Sequence, residues 1–350
     1  MINNKSFLPF LLFLNICLSQ QITINGTISF KCKVPDTITF CNGIISKEYY
    51  DIPSFSIAVV NNKFSFKHKF SYPQMYSHQI TSIKDSVIFK DSNLFLDNQT
   101  KVIEINEKIR VVKSDGVTQK EFKEIFMPFV TETKDYLKKD LSNFFRSENF
   151  KIKLLDYVKI HPNSFVALWF VIKGLELDGF DATFKKILPL FSKKMKSLKP
   201  YQKLNLELNL IKFVLNEELP ALTFKDEALL DKNLVIKKNQ YTLVDFWFSR
   251  CKPCLEITPE LKKINEQFKD KGFSLVSISV DKEINIGKWK AKIKELQMNW
   301  DNYIDVNGKI ADENKITKYP TNFLIDKNGI IIKQDIHLEE LVVFLQTQLK

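Results

Sequence analysis

Glycine and histidine are both scarce in this chain: nine glycines and four histidines in 350 residues. So little glycine excludes collagen-like and Gly-rich low-complexity architectures. The histidines, His68, His78, His161 and His337, are isolated from one another. A zinc site built on paired ligands therefore lacks its second pair. No arginine-rich stripe is present. The formal charge of +11 comes from 52 basic and 41 acidic residues, with lysines scattered among Asp and Glu. That pattern reads as a solvated surface. Nucleic-acid binding needs a concentrated patch or a known module, and neither is found. A weak preference for acidic partners or anionic lipid surfaces is what the charge allows. One N-terminal apolar run is too short to span a bilayer comfortably, and no other stretch is long and apolar enough for a transmembrane helix.

What the chain does have is apolar mass. It is 44% hydrophobic and carries 30 phenylalanines, enough for two or three domains with real cores. The N-terminus reads as a signal peptide over residues 1–19. Lys5 supplies its charge, Phe7 to Leu18 its apolar run, and Ser19 a small residue before the cleavage point. An uncleaved anchor is the alternative. Lipidation at Cys17 fits poorly, because Ile16 is not small. The reading implies a soluble protein of the periplasm or cell envelope.

Residues 20–112 read as a small, antiparallel β-sandwich. Ile22, Ile24, Ile28 and Phe30 alternate with polar residues around a break at Gly26, and Asn42-Gly43 and Asn61-Asn62 supply turns. Cys32 and Cys41 fall on the first expected hairpin. With Asp36-Thr37 at its tip they would face each other and could bond. With Pro35-Asp36 they would sit diagonally, ~7–8 Å apart, beyond disulfide reach. Turn chemistry favours the second register. Ser114-Asp115-Gly116 reads as a linker. Residues 117–213 then turn helical. Phe122, Ile125, Phe126, Phe129 and Val130 recur at helical spacing, as do Leu137, Leu141, Phe144 and Phe145. Asn163 or Ser164 offers a cap for a helix over Phe165 to Leu177. These aromatic stripes read as packing, and no chemistry is visible among them.

Residues 219–350 alternate strands and helices, which predicts an α/β sheet with helices on both faces. Tyr241 to Phe248 is apolar except for Thr242 and one acid, Asp245. Cys251-Lys252-Pro253-Cys254 follows at once and opens a helix. A helix N-terminus stabilises a thiolate through free N–H groups and the macrodipole, and Arg250 and Lys252 add positive charge. Cys251 is the expected nucleophile and Cys254 the resolving thiol. Burial should raise the pKa of Asp245, which could then exchange the Cys254 proton.

These residues resemble the thioredoxin superfamily. Val244-Asp245-Phe246-Trp247 ahead of the Cys pair looks like its active-site strand. Tyr319-Pro320-Thr321 resembles its loop with a cis-proline beside the cysteines, which would present the Tyr319 backbone to a substrate strand. The insertion between Asp281 and Pro320, with Trp289, Met298-Asn299-Trp300 and Tyr303-Ile304-Asp305, looks like the exported TlpA/ResA-like thiol–disulfide oxidoreductases. The regions ahead resemble, more loosely, multidomain members from Bacteroidetes-type bacteria. The resemblance implies a thioredoxin-like fold and catalysis by Cys251 and Cys254, with Asp245 assisting. It implies a substrate surface of Tyr319, Pro320, Trp247, Arg250 and Lys252, and no cofactor or metal. The expected partners are protein disulfides and a membrane thiol donor for a reductase, with a second copy in a homodimer as a further candidate. Arg250 departs from the usual Trp and alters the substrate-facing surface. Ile257 stands where many cytochrome-maturation members carry Glu, which favours a general disulfide reductase. A cell-envelope scaffold stapled by a structural Cys pair is the rival reading.

Overall fold

The computed structural model describes residues 21–29, 36–81, 88–106, 109–134, 143–234, 236 and 241–349. They form two compact units. One holds the described residues up to Cys41 together with Ser54–Lys120, and the other holds Asn42–Pro53 and the chain from Glu121 onward. Among the described residues no helix is long and apolar enough to cross a membrane.

The first unit is built on β1 (Ile22–Ser29), β2 (Thr37–Cys41), β3 (Ser54–Ala58), β4 (Lys63–His68), β5 (Gln74–Thr81), β6 (Ile88–Leu96), β7 (Val102–Asn106) and β8 (Ile109–Ser114). They form two sheets, β4-β1-β7-β8 and β3-β2-β5-β6. Alternation decides the faces: Ile24, Gly26 and Ile28 of β1 are buried while their neighbours point outward. The sheets meet through rings, with Phe40 of β2 lying 6.0 Å from Phe64 and 5.9 Å from Phe66 of β4.

Three details differ from the expectation. β1 runs through Gly26 without a break, because the Phe64 ring occupies the place of a side chain there; a Cβ at Gly26 would stand 1.9 Å from it. β1 pairs with β7 in parallel, so the sandwich is not purely antiparallel. β1 and β2 belong to different sheets and form no hairpin, since each finds both its partners elsewhere. Cys32 lies outside the described residues, and Cys41 is a free, half-buried thiol on β2.

In the second unit the longer helices ahead of its sheet are α1 (Glu148–Ile160), α2 (Phe165–Asp178) and α3 (Lys199–Leu210). Ser147 and Ser164 cap α1 and α2, each hydroxyl accepting a first-turn N–H. The expected aromatic stripe is a core. Phe126 stacks on Phe170 at 4.8 Å and meets Tyr157 edge-on at 4.9 Å. Leu137 and Leu141 lie outside the described residues. Asn42–Pro53 packs with these helices rather than with the sandwich, because the Tyr50 ring lies 4.9 Å from that of Trp169.

The remainder is one seven-stranded sheet. Its strands are β9 (Thr223–Lys225), β10 (Asp231–Asn233), β11 (Tyr241–Trp247), β12 (Phe273–Ser279), β13 (Asp301–Ile304), β14 (Thr321–Asp326) and β15 (Ile331–Gln334). The order is β10-β9-β13-β12-β11-β14-β15. β11, β12 and β13 run parallel, and β14 runs antiparallel to β11. The helices α4 (Lys252–Phe268), α5 (Ile286–Glu295) and α6 (Leu338–Gln348) follow β11, β12 and β15. Leu243 meets Leu261 and Ile264 of α4 and Leu341 and Leu345 of α6 on one face. Val244 and Phe246 pack with Phe213, Ile278 and Phe323 on the other. The period of two puts Asp245 on the α4 face, between Leu243 and Trp247. The short helix Lys309–Glu313 puts Ala311 on the Phe246 face, so this is the thioredoxin-like sheet with helices on both faces that the sequence predicts.

Candidate active site

β11 is buried along nearly its whole length and ends at Trp247, which delivers the next residues to one edge of the sheet. The turn there is tied to the neighbouring parallel strand. Asp281, just beyond β12, accepts the Ser249 N–H at 2.7 Å and the hydroxyls of Ser249 and Ser279 at 2.8 Å each. Cys251 N donates to Phe248 O at 2.9 Å and completes the turn.

Cys251 is then the N-cap of α4, and its Sγ accepts the Cys254 N–H at 3.2 Å. Pro253 sits in the first turn, where its missing N–H leaves no bond unmade. Cys251 and Cys254 are joined as a disulfide with Cα atoms 5.3 Å apart. Both are buried, at 3% and 2% exposure. They share an apolar cluster with Trp247, Trp289, Ile293, Met298 and Ile304. The insertion noted in the sequence thus supplies Trp289 and Met298 to the wall around the sulfurs.

Tyr319 packs on this cluster, and its ring meets Phe248 edge-on at 5.6 Å. Its hydroxyl donates to Ile316 O at 3.1 Å. Burial, with Asp312 and Asp305 nearby, holds the phenol above its ordinary pKa and keeps it a donor. The Tyr319–Pro320 peptide is cis. Arg250 is exposed, and Lys252 is exposed with Glu256 one turn on at 3.8 Å. Trp247 packs against the pair but is buried, so it faces the core and not the solvent where a substrate would dock.

Asp245 is 4% exposed, and its Oδ1 has no hydrogen bond among the described residues. Its cross-strand neighbours are Ser277 and Asn322. Ser277 accepts from Trp300 Nε1 at 2.9 Å, and the Asn322 amide is bonded in both directions to the Ile336 backbone. Burial without compensation pushes the Asp245 carboxyl up to about 8. Among the described residues, no three His, Cys, Asp or Glu side chains are grouped to hold a metal.

The structure therefore brings together Cys251, Cys254, Trp247 and Tyr319, places Pro320 next to Tyr319, and puts Arg250 and Lys252 on the exposed start of α4. Sequence reading missed Asp281 as a holder of the turn. Its signal was an acid directly after the apolar strand Phe273–Ser279, parallel to the cysteine-bearing strand and ending at the same edge.

A parallel-centred sheet that presents a Cys-x-x-Cys disulfide at a helix start defines a thiol–disulfide oxidoreductase of thioredoxin-like fold. The sequence comparisons agree. The AhpC/TSA family model matches residues 215–334. The thiol-disulfide oxidoreductase ResA of Bacillus thuringiensis subsp. konkukian is 30% identical over 125 residues, 35% of this chain and 70% of that one. The thioredoxin-like protein YneN of Bacillus subtilis is 28% identical over 123 residues, 35% of this chain and 70% of that one. Among solved structures, a thiol-disulfide oxidoreductase from Bacteroides fragilis matches at 31% identity and TM-score 0.35, covering 38% of this chain and 100% of that one. The chain belongs to the ResA-like thiol–disulfide oxidoreductases, through a C-terminal domain that makes up about a third of its length.

Proposed function

We propose that the protein is an exported reductase of protein disulfides that works through the 251/254 dithiol. The observation that carries this reading is the position of Cys251 as N-cap of α4, with its sulfur already accepting a helix N–H. That position stabilises negative charge on one sulfur and not on the other.

In the reduced protein the Cys251 thiolate attacks one sulfur of a substrate disulfide. The substrate S–S bond breaks, one substrate thiolate leaves, and a mixed disulfide forms. Cys254 then loses its proton to the Asp245 carboxylate, directly or through water, and attacks the Cys251 sulfur. The mixed disulfide breaks and the second substrate thiolate leaves, taking up a proton. Two electrons have passed to the substrate, and the dithiol has become the disulfide state described above. With its pKa at about 8, Asp245 can both take and return a proton near neutrality. Tyr319 and Pro320 border the sulfurs and form the docking surface for an extended substrate segment, with Arg250 and Lys252 on its rim. A membrane thiol donor restores the dithiol. Export rests on the sequence of residues 1–19, which lie outside the described region.

Insulin-disulfide reduction by wild type and by Cys251→Ser tests the reading. Wild type is expected to turn over and the variant to be inactive; equal rates, or none from either, would overturn it. The reduction potential of the pair tests the direction. A value of about −270 mV supports a reductase, and about −120 mV marks a strong oxidant.

A further inference from the structure

The segment that leads into β14 is gripped by the helical part of the same unit. Lys315 has φ +54, the left-handed turn that ends the short helix Lys309–Glu313 just past its C-cap, Asn314. Its Nζ lies 2.8 Å from Glu176 of α2 and 3.5 Å from Glu207 of α3. The three side chains are mostly buried, at 16%, 12% and 16% exposure. Glu207 is itself held: Lys203 donates to it at 2.7 Å, and the Tyr49 hydroxyl donates to its other oxygen.

The grip extends on either side. Asn314 Oδ1 accepts the backbone N–H groups of Lys212, at 2.6 Å, and Phe213, at 3.3 Å, just beyond α3. Lys318 lies 3.7 Å from Asp178 at the end of α2. Gly179, with φ +89, lets the chain after α2 pass so close that a Cβ there would stand 2.6 Å from the Lys315 carbonyl oxygen. Asn314 and Lys315 are thus fixed by α2, α3 and the chain leaving them, while the Lys318 pair, with its lysine exposed, adds little. Tyr319, on the dithiol cluster, is the next residue.

A buried ion pair adds little net stability, because desolvation offsets the attraction. Its usable product is geometry. We propose that Lys315 is a positioning residue: Glu176 and Glu207 hold it, and through it the helical region sets the backbone against which a substrate segment lies beside the dithiol. This rests on the reading of the pair as a protein-disulfide reductase and adds a task for the helical region. The ion pair touches neither sulfur, so it governs docking of an extended segment and not the chemistry of Cys251.

The test is Lys315→Met in the full chain, with Lys315→Arg as the conservative control. The double variant Lys315→Met/Glu176→Gln guards against misfolding, since it leaves no newly unpaired Glu176 charge. Toward insulin, KM should rise about five- to tenfold in Lys315→Met with kcat within about twofold, and Lys315→Arg should recover most of the loss. Turnover of a small aromatic disulfide and the potential of the pair should not move. Amide hydrogen exchange over residues 316–321 should quicken by about tenfold or more. Unchanged KM and exchange in the folded variants overturn the proposal. So does an equal loss toward both disulfides with a shifted potential, which would trace the effect to the sulfurs. If wild type reduces neither disulfide, the reductase reading fails on its own, and the exchange measurement still decides whether Lys315 holds the loop.

Discussion

Replacing Asp245 by asparagine should make the protein more stable and slower at once. The carboxyl is buried without a partner for Oδ1, and its pKa is pushed from 3.8 up to about 8. In the unfolded chain it titrates near its ordinary value, about 3.9. Between these values the folded protein keeps a proton that the unfolded chain has released. Stability therefore falls as pH rises, by about 1.4 kcal/mol per pH unit. The favourable contribution is complete below about pH 4 and lost above about pH 8. At pH 7 the accumulated loss is roughly 4 kcal/mol, a ceiling, because relaxation and water entry soften the burial of a charge. Asparagine has no charge to lose at any pH. Urea unfolding of the oxidised wild type and variant, followed by circular dichroism, should show a gain for Asp245→Asn that grows between about pH 5 and pH 8 and then levels off. Insulin turnover by the same variant should fall by about a hundredfold, the low end of what a proton-transfer group supplies. A stability difference that is flat with pH, or a variant less stable at neutral pH, refutes the unpaired buried carboxyl and the proton-transfer role with it.

Cys254→Ser should arrest the reaction after the first attack. Intact-mass spectrometry after exposure to a disulfide peptide is expected to show one adduct on Cys251; Cys251→Ser should show none, and adducts on both variants would undo the assigned order. Asp281→Ala leaves the Ser249 N–H and two hydroxyls without their acceptor. The expected loss is roughly 2–4 kcal/mol in urea unfolding, together with slower turnover, and unchanged values of both would show that Asp281 does not hold the turn before Cys251. Gly26→Ala should destabilise the first unit by about 1–3 kcal/mol, because the new methyl overlaps the Phe64 ring; a thermal melt no lower than that of wild type would contradict the packing described.

How much of this was legible in the sequence depended on whether the signal was local. A buried strand with a single acid and a Cys pair opening a helix are each contained in a few residues, so the α/β sheet and the placement of Cys251 and Cys254 could be read directly, whereas the Tyr319-Pro320 loop was placed beside them only by its resemblance to the thioredoxin superfamily. Alternation in β1 likewise shows which face is buried, but it carries no information on which strand lies alongside. The parallel partner β7 and the separation of β1 from β2 follow from the closure of two sheets, not from any short pattern.

The polar residues around the site were the least legible, for a related reason. Lys315 and Glu207 look like ordinary members of a Lys- and Glu-rich surface, and only the packing of α2 and α3 removes them from water. The bond from Lys315 to Glu176 joins residues 139 apart in the chain, and that from Lys212 to Asn314 spans 102. Charge patterning within a helix reports neighbours three or four residues away and is silent at such distances. A middle region that the sequence presents as aromatic packing without chemistry thus contributes carboxylates to the loop beside the dithiol. Its aromatic core is what makes that contribution rigid: the caps at Ser147 and Ser164 start α1 and α2, the Phe126–Phe170 stack joins α2 to the chain ahead of α1, and Glu176 projects from the last turns of a helix whose buried residues are all apolar.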